Sequence, residues 1–159
     1  MPGQRKDYVL DEIERLRQFV ARLAHSGERM GLEEALQLSF RLQEKLFPLP
    51  PPEFLGLTVA DQLAALRAGE SAAQGDAKCL AYARLLQETA ALYDYRGRAD
   101  LATGARQLSL QVALTVALGD TTGVTAAGAL VTGLLPLVDP ARLHPPVREL
   151  LNLFLARDT

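Results

Sequence analysis

The side chains in this sequence that could carry out chemistry are few and scattered. Two histidines, His25 and His144, and a single cysteine, Cys79, are spread over 159 residues. No HExxH, paired CxxC or histidine–carboxylate cluster accompanies them, and zinc and iron sites need such clusters. Each histidine reads as a helix-end residue. Cys79 opens an amphipathic stretch with no histidine nearby to take its proton, so it reads as a buried thiol rather than a nucleophile. Asp7, Asp11 and Glu14 share one helical side, and Glu33–Glu34 add two more carboxylates. All-helical pyrophosphatases hold Mg²⁺ with carboxylates at helical spacing, but they need a second acidic pair on a facing helix. Glu88, Asp94 and Asp100 lack that spacing, so these acids are expected on solvated faces.

Phosphate chemistry is equally thin. The glycines of "TGVTAAGALVTG" lack both the preceding strand and the Lys-Ser/Thr of a phosphate loop, and are expected to permit close helix packing. The stretch "YDYRGRADLATGARQLSL", Tyr93 to Leu110, sets Arg96, Arg98 and Arg106 beside Tyr93 and Tyr95. Arginines among tyrosines can grip phosphate and stack on bases. The chain as a whole opposes that role, with a net charge of −2 and a pI near 5.7, so nucleic acid and anionic lipid are not expected partners. The competing reading is the turn of a helical hairpin centred on Gly97. No catalytic residue, metal or cofactor is expected, and a small hydrolase is only a third reading.

Hydrophobic residues make up 48% and charged residues 23%, the balance of an ordinary globular protein. The length suits about one domain and buries roughly 70% of the unfolded surface. Folding therefore requires no metal or disulfide. One cysteine suits a reducing compartment, and "MPGQRKDYVLDEIER" carries charge without an apolar signal core. A cytoplasmic protein of bacterial type is expected. From Gln107 to Val138 the only formal charge is Asp120. "TTGVTAAGALVTGLLPLV" is about long enough to cross a bilayer, but its glycines, threonines and Pro136 and its lack of a flanking Lys or Arg argue against that. A buried or subunit-interface helix is expected instead.

The elements that must position these residues read as helices throughout, about seven, since no run shows period-2 alternation. The first spans about Lys6–His25, with Val9, Ile13, Leu16, Val20 and Leu23 in one apolar stripe widened by Leu10 and Phe19. Asp11, Glu12, Glu14, Arg15, Arg17 and Arg22 fill the solvated side. The second, "GLEEALQLSFRLQEKLF", turns Leu32, Ala35, Leu38, Leu42 and Leu46 inward. "FPLPPPEF" stops it and reads as a stiff polyproline II connector. Thr58 caps a third helix ending near Gly69, and "GESAAQGD" reads as a polar loop. A fourth covers about Ala77–Arg96. A fifth, about Ala99–Leu118, buries Leu101, Ala105, Leu108, Val112 and Val116. A sixth covers about Val124–Leu137, "DPARLHPP" makes a turn, and Pro145 opens a final helix to about Arg157.

Sliding the chain against itself gives one internal correspondence. At an offset of 70 residues, Gly27 falls on Gly97, and Ala35, Gln37, Leu38 and Ser39 fall on Ala105, Gln107, Leu108 and Ser109. Phe40 opposes Leu110. Leu10, Ile13, Leu16, Val20 and Leu23 fall on Leu80, Ala83, Leu86, Ala90 and Tyr93. Two helical hairpins with equivalent buried faces would produce this pattern. The offset is about twice the roughly 34-residue tetratricopeptide period. Ala90 and Tyr93 before Gly97, with Ala102 after it, make the second hairpin resemble such a repeat. Arg106 and Gln107 stand where its second helix normally carries a large aromatic. The chain also resembles a bacterial family of short helical proteins of unknown function, through "KDYVLDEIERLRQFVARL", "GLEEAL", "LTVADQLAALRAG" and the hairpin from Leu80 to Leu118.

These resemblances imply one all-α domain of antiparallel hairpins stacked in a tetratricopeptide-like right-handed array. Residues 6–118 would form the hairpins and 119–159 a C-terminal helical pair. They imply a non-enzymatic module for a protein partner, with side chains of the hairpins' first helices doing the binding. Gln18, Arg22 and His25 on the first helix, and Arg84, Glu88 and Tyr95 on the fourth, are the expected surface, with Arg96 and Arg98 at the turn. A homo-oligomer, a homodimer for instance, built through the charge-poor sixth helix is the alternative.

Overall fold

The computed structural model describes the backbone of residues 2–26, 30–119 and 126–157, and the side chains of 11–23, 31–119 and 126–157. Eight α-helices occur among these residues, and no strand. They are α1 (Pro2–Ser26), α2 (Met30–Leu46), α3 (Pro51–Leu55), α4 (Val59–Arg67), α5 (Ala72–Tyr95), α6 (Ala99–Gly119), α7 (Ala126–Leu134) and α8 (Pro145–Arg157). Two 3-10 turns, Leu135–Leu137 and Pro140–Arg142, lie between α7 and α8. The chain is an all-α protein. α5 is its hub, touching α1, α2, α4 and α6, while α7 and α8 pack on α6.

Ile13, Leu16, Val20 and Leu23 of α1 are buried against Leu32, Ala35, Leu36 and Leu42 of α2 and Ala81, Leu85 and Leu92 of α5. That cluster is the apolar stripe read from the sequence; Val9 and Leu10 lie outside the described side chains. A second cluster joins the aromatic end of α2 and α3 to α5, α6, α7 and α8. Glu12 departs from its expected solvated face. It is buried and receives Lys45 Nζ from α2 at 3.1 and 3.3 Å, so a paired charge sits in the α1–α2 seam.

The proline connector is not extended throughout. Proline at a first helical position loses no bond it would have made, and its fixed φ suits a helix start, so "PPEFL" closes into α3. That fold-back stacks Phe47 on Phe54, with ring centroids 4.0 Å apart, and sets both edge-on to Tyr82 at 5.3 and 5.4 Å. "GESAAQGD" is not wholly a loop either. Ser71 Oγ accepts from Gln74 N at 3.2 Å and caps α5, which begins five residues earlier than its apolar pattern indicates. Gly75 is a packing residue there, since a Cβ would stand 3.0 Å from Arg67 Cγ. Thr58 caps α4 as expected, accepting from Asp61 N at 3.1 Å.

α6 buries more than a stripe. Val112 and Val116 are buried as expected, but so are Ala102, Gln107, Ser109, Leu110, Ala113, Leu114 and Ala117. Helices lie on several of its sides, which a single-stripe reading does not foresee. Leu101, expected inside, is exposed, and Ala105 and Leu108 are half-buried. Gly133 of α7 makes no close approach, since nothing lies within 4 Å of its Cβ position. No helix among the described residues is long and apolar enough to cross a membrane. The start expected for the sixth helix, Val124, and the glycine at position 27 lie outside the described residues.

Candidate functional site: an apolar cleft on α5

The residues expected to form the binding surface lie on α1, on α5 and at the turn that follows α5. Gln18 and Arg22 are exposed on α1, where the Arg22 guanidinium sits 5.4 Å from the Phe19 ring centre. The side chain of His25 lies outside the described residues. Arg84 and Tyr95 are exposed on α5, but Glu88 is half-buried. The turn arginines are paired. Arg96 donates to Glu33 of α2 at 3.0 Å, Arg98 donates to both Asp100 oxygens at 3.2 Å, and Arg106 pairs with Asp94. The bonded Arg98 guanidinium holds the Asp100 carboxyl below its usual range. Four acids weighed as metal ligands are thus held by arginines, counting Glu14 with Arg17. No group of three His, Cys, Asp or Glu able to hold a metal lies among the described residues.

Gly97 has φ +79 and ends α5. Arg98 N donates to Tyr93 O at 2.8 Å and Gly97 N to Asp94 O at 3.0 Å, the paired bonds of a Schellman turn. The "YDYRGR" stretch is therefore a helix stop whose charges are bound to neighbouring helices. Cys79 is fully buried, and burial pushes its thiol above the usual value, the reverse of an activated nucleophile.

The concave feature lies on the other side of α5. At 100° per residue, Tyr82, Leu86, Thr89 and Tyr93 form one row, and Arg84, Glu88 and Tyr95 lie nearly opposite. The row lines a cleft of about 220 Å³ between α2, α3, α5 and α6. Phe47, Tyr82, Leu85 and Leu86 are its buried floor. Phe40 of α2 and Leu55 of α3 stand on its rim, each 45% exposed, and Ala105 of α6 closes the far side. Gln43, Thr89 and the hydroxyl-bearing Tyr82 and Tyr93 are its polar members, and the lining holds no Asp, Glu, Lys, Arg or His. Thr89 Oγ1 donates to Leu85 O at 2.7 Å and meets Ser39 Oγ at 2.7 Å, so it is committed to the fold.

Sequence reasoning passes over Phe40, Leu55 and Tyr82 because it looks for polar groups. A usable signal was present in the register: Phe40 opposes Leu110. Leu110 is fully buried, in the cluster that α6 shares with α7 and α8, whereas Phe40 is open. Equivalent apolar positions with unequal cover mark an uncovered face. No protein-family model, curated protein or solved structure matches this chain.

Proposed function

We propose that the protein is a non-enzymatic helical module that binds a protein partner, in the manner of stacked tetratricopeptide-like hairpins, within a bacterial cytoplasm. The observation carrying this reading is Phe40, 45% exposed over an uncharged cleft while its register partner Leu110 is fully buried. Apolar surface of this kind, concave and aromatic-floored, is costly to leave in water and suits the apolar face of an amphipathic helix. α7 and α8 cover α6 within the chain; on this reading a partner's helix covers α2. The cleft is smaller than the roughly 300–1,000 Å³ of small-molecule sites, which favours anchoring side chains over a whole cofactor. The polar surface of Gln18, Arg22, His25, Arg84, Glu88 and Tyr95 becomes the secondary candidate.

The test is site-specific photocrosslinking in native cells. A photoreactive residue replacing Phe40 is expected to capture one discrete partner, and the same residue replacing Arg84 is not. Capture at Arg84 alone moves the site to the α1–α5 face, and no adduct from either position removes the reading.

Self-association is favoured by one separate observation. Leu137 is half-exposed in the 3-10 turn that follows α7, and the exposed residues Ala126, Ala129, Thr132 and Gly133 of α7 and Pro136 of that turn carry no charge. A mass twice that of the chain in light scattering, lost in Leu137→Glu, is the expected result for that reading.

A further inference from the structure

α3 is five residues long, far below the length at which a helix sustains itself in water. Phe54 is its only buried residue, while Pro52, Glu53 and Leu55 are exposed. Pro50 ahead of it supplies no side-chain cap. One ring and one amide seat it on the other helices. The Phe54 ring lies on Phe47, with centroids 4.0 Å apart, and meets Tyr82 edge-on at 5.4 Å. The Gln62 amide donates to the carbonyls of Phe54 and Leu57 at 3.3 Å each, beyond the usual hydrogen-bond length. The chain on either side, Pro48 to Pro50 and Gly56, is exposed, so α3 can swing out without carrying another helix with it. Phe47 and Tyr82 also line the open cleft, and Leu55 stands on its rim. The place that Phe54 fills is therefore continuous with the cleft.

We propose that α3 is an intramolecular plug: Phe54 fills a site for an aromatic ring, and the partner helix docking in the cleft inserts an aromatic side chain in its place. The inference rests on the reading of the cleft as a docking site and adds the regulation of that site. The chain itself shows the chemistry the site takes, an aromatic ring stacked on Phe47 and edge-on to Tyr82, carried on one helical turn. The ring gained replaces the ring lost, so stacking and burial are conserved. Net affinity then comes from the partner's remaining apolar contacts, with exposed Phe40 first among them. The plug lowers affinity for every partner by the fraction of chains in which it is seated. A helix without an aromatic residue cannot replace the lost ring, so α3 also selects between partners.

Indole, a bare aromatic ring, tests this by native-state hydrogen exchange. The amides of Phe54, Gly56 and Leu57 report on α3, since they donate to Pro50 O, Pro52 O and Phe54 O. In the native chain indole is expected to speed their exchange at least about tenfold while residues 72–95 hold theirs. Phe54→Ala opens the space beside Phe47 and Tyr82, and an apolar space of that kind takes an aromatic guest. This variant is expected to bind indole at least about tenfold more tightly than the native chain, because no internal ring has to leave first. Unchanged exchange of α3, or equal binding by the two chains, overturns the plug. Should Phe54→Ala not fold, the three amides of the native chain decide alone. The docking reading fails separately: no adduct from a photoreactive residue at Phe40, with α3 still released by indole, removes the partner and keeps the plug. An adduct there with α3 unmoved by indole keeps the partner and removes the plug.

Discussion

The hydroxyl of Tyr82 donates to Oε1 of Gln62 at 2.9 Å, joining two buried polar side chains on α5 and α4. The same amide donates through Nε2 to the carbonyls of Phe54 and Leu57, at 3.3 Å each. One glutamine thus fixes the proline connector, the start of α4 and the middle of α5. It also holds Tyr82, which meets Phe47 and Phe54 edge-on, in the cleft floor.

Removing the Tyr82 hydroxyl leaves the Gln62 carbonyl oxygen without its partner in the core. Tyr82→Phe is expected to cost about 1–2 kcal/mol. Gln62→Leu is expected to cost more, because it strands the phenol instead and releases the Leu57 carbonyl. Urea unfolding gives both values, and the order of the two variants is the diagnostic. Burial raises the Tyr82 hydroxyl above its ordinary value, so its phenolate absorbance is expected only as the chain unfolds in alkali.

Ser39 and Thr89 give a second, signed expectation. Thr89 Oγ1 spends its proton on Leu85 O, so Ser39 is the donor across the 2.7 Å contact. Ser39→Ala removes one bond and leaves Thr89 satisfied, a loss of about 1 kcal/mol. Thr89→Val strands a buried hydroxyl and costs more. The double variant is expected to be less destabilised than the sum of the two, a coupling that a double-mutant cycle measures directly.

Gly97 is needed for its backbone rather than for space. Its φ of +79 lies in the left-handed region, and nothing stands within 4 Å of a built Cβ. Gly97→Ala is therefore expected to cost about 1–2 kcal/mol through conformation alone. Gly97→Asn is expected to recover part of it, because asparagine tolerates that region. Thermal melts of the two variants separate this cause from a steric one, which would make asparagine the worse substitution.

The helices were legible because their apolar residues recur at three and four, and α1 buries that stripe at Ile13, Leu16, Val20 and Leu23. The repeat register was informative too, since Ser39 and Ser109 are both buried against α5, with Ser109 donating to Ala83 O at 2.6 Å. What periodicity does not carry is how many neighbours a helix has. α6 is covered on several sides, so Leu110 and Leu114 are buried off the predicted stripe, while Leu101 at its open end is exposed. The cleft was hidden for the same reason. Phe40 looks like any core residue until the absence of a covering helix is known, and the ion pairs of Arg96 and Arg106 depend on contacts to residues distant in sequence.

Gln107 is the clearest case of a residue whose role the sequence conceals. It is a polar side chain on an amphipathic helix, yet it is buried and bonded at both ends. Its Nε2 donates to Arg142 O and its Oε1 accepts from His144 N, each at 2.9 Å. Those backbone groups flank buried Leu143, just ahead of the first turn of α8. Gln107→Ala deletes both bonds, at about 1 kcal/mol each, and should loosen α8 more than it loosens α5. Gln107→Glu keeps the acceptor for His144 N but turns a carboxylate oxygen toward the Arg142 carbonyl, so it should be at least as damaging. Hydrogen exchange over residues 145–157 is expected to speed up in both variants while residues 72–95 change little. Equal loosening of the two segments would mean that Gln107 serves the whole core rather than the seat of α8.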